Sequence, residues 1–332
     1  MTSIKDVAER AGVSVATVSR VLSNKPHVRP EVREHVLRIV EELGYRPNRT
    51  ASSLRKQTSQ FIGLLVSDIR NPFFTAIARA IEDIAIAKGM SVFYCNTDED
   101  QEKEQRYLHN LLDENVAGII FSPTVETVDS FEFVLNTDIP VVTIDRRIDG
   151  ADIDSVLSDN VQSSHMITSH LLENGFDRIG AAIGLQDSTT GRERMKGYEL
   201  AHLESGIEYD PGLVSYVRPN EFEGEAIVSQ WLKSKHRPNA ILGGNGLITI
   251  GAVGAISKAG LRIPADVAVA GFDDASWMPY VGPGLTVVGQ PVYEMGRTAA
   301  ELLFERMDDP TRPPREIVLK GRLITRGSTQ VG

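Results

Sequence analysis

The sequence predicts an α/β protein built as a small all-α head followed by two doubly wound parallel-sheet lobes, and three observations predict it. Between Ser3 and Gly44 the apolar residues recur at helical spacing, with capping residues between the runs. From Phe61 onward, short apolar runs alternate with amphipathic stretches, and that series occurs twice. Charge divides at the same place. Residues 1–60 hold 11 Lys+Arg and 6 Asp+Glu, a balance of +5. The remainder of the 35 and 45 in the chain, 24 and 39, gives −15, and the two sum to the overall −10. At 332 residues, 41% hydrophobic and 24% charged, the chain has room for two or three compact units. We place them at 1–47, a linker at 48–60, and 61–332.

The head opens with Ser3-Ile4-Lys5-Asp6, the spacing at which Ser3 accepts from a first-turn amide and Asp6 reaches back. Ile4, Val7, Ala8 and Ala11 then form an apolar stripe, so a first helix runs from about Ile4 to Ala11. Gly12 supplies freedom for a sharp turn, and Ser14 caps a second helix through about Leu22. Val18, Val21 and Leu22 face inward, leaving Val15, Ala16, Ser19 and Arg20 outward. A third helix begins at Pro30, carries Val32, Val36, Leu37, Val40 and Leu43, and stops at Gly44. Two short helices about a tight turn are a helix-turn-helix, which any small bundle can contain. The charge split points to a polyanion-binding head on an acidic body that DNA would repel, although charge alone is equally compatible with a solvated basic surface. In that geometry Arg20 reads base edges, small apolar residues meet a thymine methyl, and Thr17 and Ser19 suit phosphates.

The linker, Asn48 to Gln60, is polar and basic, and Leu54 is its one large apolar residue. In the first lobe strands are expected at Phe61–Val66, Met90–Tyr94, Gly118–Phe121 and Val141–Ile144. The second lobe has them at Ile179–Ile183, Ala240–Leu242, Val267–Val269 and Leu285–Val288. Ligands of such sheets bind at the carboxyl ends of strands. Polar residues follow those ends: Asn71 before Phe73-Phe74, then Asp145-Arg146, Asn245, Asp273 and Gln290, with Arg194 on a helix of the second lobe. Aromatic faces with forked amide, carboxylate and guanidinium groups suit a polyol. Taken singly, Asp145-Arg146 is also compatible with a surface pair, Phe73-Phe74 with core packing, and Asn245 or Asp273 with turns.

The head resembles the lactose-repressor (LacI-type) family of transcription regulators. The likeness runs through Ile4-Lys5-Asp6-Val7-Ala8, Ala11-Gly12-Val13-Ser14, Thr17-Val18-Ser19-Arg20-Val21-Leu22 and Gly44-Tyr45-Arg46-Pro47-Asn48. It implies a cytoplasmic homodimer that reads palindromic operator DNA. Val15, Ala16 and Arg20 match base-reading positions; Tyr45, Asn48 and Arg49 match positions near phosphates. The linker corresponds to a hinge helix whose leucine, here Leu54, wedges into the minor groove. The body is similar to the sensor domain of that family and to periplasmic ribose-type sugar-binding proteins. By that likeness Phe73, Phe74 and Phe222 sandwich a small sugar or sugar derivative. Asn71, Asp145, Arg146, Arg194, Asn245, Asp273 and Gln290 bond its hydroxyls. One departure is Gly246, where the common pattern has Asp; Trp277 is a candidate to complete the pocket.

Other functions have little in the sequence to carry them. No phosphate-binding loop, His-Glu-x-x-His motif or nucleophile elbow occurs, the seven histidines make no ligand pattern, and no cofactor is expected. The alternative is a helix-turn-helix fused to a carbohydrate-active α/β enzyme, and turnover of a bound sugar would distinguish it. The charged stretch from Met1 to Arg10 has no apolar signal core, and no membrane span is foreseen. The single Cys95 sits in an apolar run and excludes internal disulfides. No heptad tail follows Gly327, so a dimer is expected, with no further assembly through a coiled coil.

Overall fold

A computed structural model describes residues 2–22, 25–45 and 59–330. The chain divides into two compact units, Met1–Ser59 and Gln60–Gly332.

In the first unit α1 (Ile4–Arg10), α2 (Val15–Leu22) and α3 (Pro30–Glu42) enclose a core of Val7, Ala8, Ala11, Val18, Val21, Val36 and Ile39. The capping box forms: Ser3 Oγ accepts from the Asp6 amide at 3.3 Å, and Asp6 Oδ2 accepts from the Ser3 amide at 2.7 Å. Gly12 turns the chain at φ +64°, a backbone state that β-carbon sterics disfavour in other residues.

The second unit holds two six-stranded sheets. The strands are β1 (Phe61–Val66), β2 (Ser91–Asn96), β3 (Ile119–Phe121), β4 (Val141–Ile144), β5 (Asp154–Ser158), β6 (Ile179–Ile183), β7 (Val214–Tyr216), β8 (Ala240–Gly243), β9 (Ala268–Phe272), β10 (Thr286–Gly289), β11 (Glu316–Leu319) and β12 (Arg322–Ile324). Their orders, β11-β5-β4-β3-β1-β2 and β12-β10-β9-β8-β6-β7, are the same arrangement twice. Described neighbours pair in parallel except β10 with β12. All eight expected strands are present, three with the expected bounds and the others with ends shifted by one to three residues. Four more were not expected: β5, and the short or edge strands β7, β11 and β12.

The chain passes between the lobes three times: from β5 into the Asn160–Glu173 helix, from β10 into the Val292–Asp308 helix, and from β11 to β12. The Val292–Asp308 helix packs on the first lobe, where Gly296 lies so close to the Pro72–Ala87 helix that an added Cβ would meet Ile77 O at 2.6 Å. Each sheet is covered on both faces by apolar clusters, and β1, β4, β6, β8 and β9 are almost wholly buried. No described helix is long and apolar enough to cross a membrane.

Candidate functional site: an interlobe cleft and a helix-turn-helix

In the head, Ala16 and Arg20 are exposed on α2, while Thr17 and Ser19 are half-buried. Val15, expected to face outward, is half-buried and packs against the head core. Ser14 Oγ accepts from the Thr17 amide at 3.1 Å and lies 2.9 Å from the Thr17 hydroxyl, so both side chains help start the helix. Tyr45 packs half-buried on the same core. Asn48, Arg49 and Leu54 lie outside the described residues.

In the body, strand ends of both lobes converge on one cleft lined by Asn71, Phe73, Phe74, Asp145, Arg146, Arg194, Asn245, Asp273 and Gln290. Asn71 and Asn245 each cap the helix that follows: Asn71 Oδ1 accepts from the Phe73 amide at 3.0 Å, Asn245 Oδ1 from the Ile248 amide at 2.8 Å. Phe73 and Phe74 are buried edge to face, centroids 5.0 Å apart, so they belong to the first lobe's core and also form a cleft wall. Arg194 reaches in from the Thr189–Ser205 helix over the Phe272 ring, 4.2 Å from its centroid. Its Nε donates to Asn160 Oδ1 at 2.9 Å and its Nη1 to Gly244 O. Gln290 Nε2 donates to Asp273 Oδ1 at 2.7 Å, and the Gly246 amide to Asp273 Oδ2 at 3.1 Å.

Two backbone features aim the carboxylates. Asp145 follows β4 at φ +69° and Asp273 follows β9 at φ +71°, a left-handed state that Asp tolerates better than most residues. Burial pushes the Asp145 carboxyl up to about 6, against the pull of Arg146 and Arg194. Burial also lowers the Arg194 guanidinium. For Arg146 burial acts the same way, but the Glu99 carboxylate outweighs it and holds the side chain charged.

Several lining residues escaped the sequence reading. Asp68, Glu99, Thr190 and Pro219 also face the cleft. Glu99 stands in the loop after β2, whose Asp98 and Glu99 both have φ +56°. The strand-end rule applied to the acidic run Asp98-Glu99-Asp100 would have found it. Phe222 is not brought into the cleft. It is 71% exposed on the first turn of the Glu221–Leu232 helix, and Pro219, just before the Asn220 cap, lines the cleft instead. Trp277 packs half-buried on the second lobe's core and does not complete the pocket. At Gly246 an added Cβ would meet Asp273 Cβ and Oδ2 at 3.6 Å, ordinary contact, so an aspartate there would face the Asp273 carboxylate.

The cleft cavity is small, about 40 Å³. Among its polar atoms Arg146 Nε and Gln290 Oε1, a donor and an acceptor, are buried without a hydrogen-bond partner. Polar contacts tie the lobes: the Thr189 amide donates to Glu126, Arg192 pairs with Glu126 at 2.7 Å, and Arg147 pairs with Glu193. Among the described residues no cluster of His, Cys, Asp and Glu is arranged to hold a metal. Cys95 is half-buried, and burial raises its thiol.

A helix-turn-helix head on a two-lobed body with a polar cleft defines a ligand-responsive regulator of transcription. The comparisons make that specific. Residues 3–48 match the model of the bacterial regulatory proteins, lacI family, and residues 168–329 that of the periplasmic binding protein-like domain. The chain is 33% identical over 338 residues to the HTH-type transcriptional repressor PurR of Aliivibrio fischeri, covering 99% of this chain and 98% of that one. It is 35% identical over 332 residues to the ribose operon repressor of Halalkalibacterium halodurans, covering 100% and 98%. Its fold matches the lac repressor dimer bound to operator and the anti-inducer ONPF, with a TM-score of 0.87, 27% identity and 99% of each chain covered. The chain belongs to the lacI family and is a DNA-binding transcription regulator. That family consists of regulators, not enzymes, so the fused-enzyme alternative has no support.

Proposed function

We propose that the protein is a cytoplasmic homodimeric repressor of palindromic operator DNA, whose affinity for the operator is set by a monosaccharide or close derivative in the interlobe cleft. Residues 1–47 form the DNA-reading head, 48–60 the hinge and 61–332 the effector-binding and dimerising body. The observation that carries the reading is the convergence of forked polar groups from both lobes beside two phenyl rings, with a buried donor and acceptor left unsatisfied. Apolar sugar faces pack on Phe73 and Phe74, and hydroxyls meet Asp145, Arg146, Arg194 and Gln290. Named relatives include a ribose operon repressor, which agrees with a sugar.

A cavity of about 40 Å³ holds water and not a hexose, so a ligand must part the lobes or rearrange the lining. Ligand therefore biases the angle between lobes, and the first lobe begins at Phe61, directly after the hinge. In a dimer that angle sets the spacing of two hinge segments, each too short to persist as a helix alone. Leu54 wedges the minor groove only at the right spacing. Arg20, with Val15 and Ala16, reads bases, while Ser14, Thr17, Ser19, Tyr45, Asn48 and Arg49 stand near phosphates.

Selection from a randomised duplex library tests this. The wild-type protein should recover a palindrome, and Arg20→Ala should bind it about 1–3 kcal/mol more weakly and relax one base pair per half-site. A monosaccharide that raises the thermal midpoint should shift operator affinity far more than affinity for random duplex at equal salt. Failure to recover any palindrome overturns the reading.

A further inference from the structure

Arg146 and Arg194 are the two guanidiniums in the cleft, and the usual ligand of a guanidinium fork is a carboxylate or phosphate. The fork of Arg146 is already taken. Its Nη1 donates to Glu99 Oε2 at 2.8 Å and to Pro123 O at 3.1 Å, and its Nη2 to Glu99 Oε1 at 2.6 Å. Arg146 is buried and Glu99 partly so, with side chains only 5% and 10% exposed. Arg194 has Nε on Asn160 and Nη1 on Gly244 O, so each edge of its fork has one N–H committed.

We propose that Glu99 is a specificity residue that makes the cleft select a neutral polyol over the corresponding sugar acid or sugar phosphate. This rests on the monosaccharide reading above. Three carboxylates, Glu99, Asp145 and Asp273, face the cleft against those two guanidiniums, and the fourth, Asp68, pairs with Arg70 at 2.8 Å. An anionic ligand must either displace Glu99, stranding a buried carboxylate, or lie beside an excess of negative charge in a medium that screens poorly. A hydroxyl meets neither cost. Arg146 Nε has no protein partner and stands 4.0 Å from Asp145 Oδ2, too far for a direct bond. One hydroxyl between them accepts from the first and donates to the second. A second hydroxyl donates to the unpartnered Gln290 Oε1.

The test is calorimetric titration of the full-length protein at pH 8 with matched ligands: ribose, ribonate and ribose 5-phosphate, then glucose, gluconate and glucose 6-phosphate. In whichever series binds, the neutral sugar should bind at least about tenfold more tightly than its anionic partners. Glu99→Gln should narrow that ratio by at least about tenfold by freeing the Arg146 fork, and Glu99→Asp should keep the preference. Tighter binding of an anion by the wild-type protein, or an unchanged ratio in a folded Glu99→Gln protein, overturns the proposal. The wild-type ranking decides it if the variant does not fold. Should no sugar in either series bind while a nucleobase does, the monosaccharide reading itself is wrong, and this one goes with it.

Discussion

Asp145 in the first lobe and Asp273 in the second occupy equivalent places. Each follows the strand third in its sheet's order, each has positive φ, and each donates its amide to the neighbouring strand, to Val156 O and Val288 O, both at 2.9 Å. Their carboxylates differ. Asp273 is bonded on both oxygens, by Gln290 Nε2 and the Gly246 amide. Asp145 has Arg146 Nε only at 4.0 Å, and burial raises its carboxyl to about 6. The same backbone device thus yields a structural acceptor in one lobe and an uncommitted one in the other. The uncommitted one is available to ligand because it is poorly satisfied by protein.

The largest effect expected from this contrast is at Asp273. Asp273→Ala orphans a buried amide and the Gln290 side chain, so chemical denaturation should show a loss of about 3–5 kcal/mol, together with loss of any ligand-induced thermal shift. A loss under about 1 kcal/mol would mean that Asp273 is no more structural than Asp145.

Asp145→Asn should act in the opposite direction and depend on pH. An acid whose folded pKa is raised keeps its full stability contribution below the unfolded value of 3.8 and loses it as pH rises through about 6. Neutral asparagine avoids that loss and tolerates the left-handed backbone. Stabilities should therefore nearly coincide at pH 4 and favour the variant by about 3 kcal/mol at pH 8, while ligand affinity falls. A variant no more stable at pH 8 than at pH 4, relative to wild type, would show that Arg146 and Arg194 fully compensate the Asp145 charge.

The smallest effect is at Gly246. Its amide serves Asp273, and an added Cβ meets only ordinary contacts, so Gly246→Ala should change stability by less than about 1 kcal/mol, tending upward. A larger loss would show that the Asp273 cradle requires glycine as well as an amide.

Much of this molecule is legible along the chain. Ser3 with Asp6, Gly12 and Pro30 set the head's helices by local hydrogen bonding and backbone freedom, which nearest neighbours decide. The central strands read as apolar runs because both faces of each sheet are covered. Asn71, Asp145, Asn245 and Asp273 follow strand ends, where this fold places ligands.

What lay outside the local pattern was polar burial. β5 reads as Asp154-Ser155-Val156-Leu157-Ser158, with three polar residues in five, yet all five are buried. Arg306 and Arg312, 152 and 158 residues further along, bond Asp154 Oδ2 at 3.0 and 2.7 Å, and Thr143 on β4 meets Ser155 at 2.7 Å. Glu99 follows a strand end, but its partner in the cleft is Arg146, 47 residues away, whose Nη2 donates to Glu99 Oε1 at 2.6 Å. Phe222 has the composition of a stacking residue but turns to solvent where the Asn220 cap sets the start of its helix. Periodicity and capping report what each residue owes to its neighbours in the chain. A buried charge depends on a partner that only the folded lobes bring within reach, since the desolvation cost of an unpaired ion exceeds anything local structure returns.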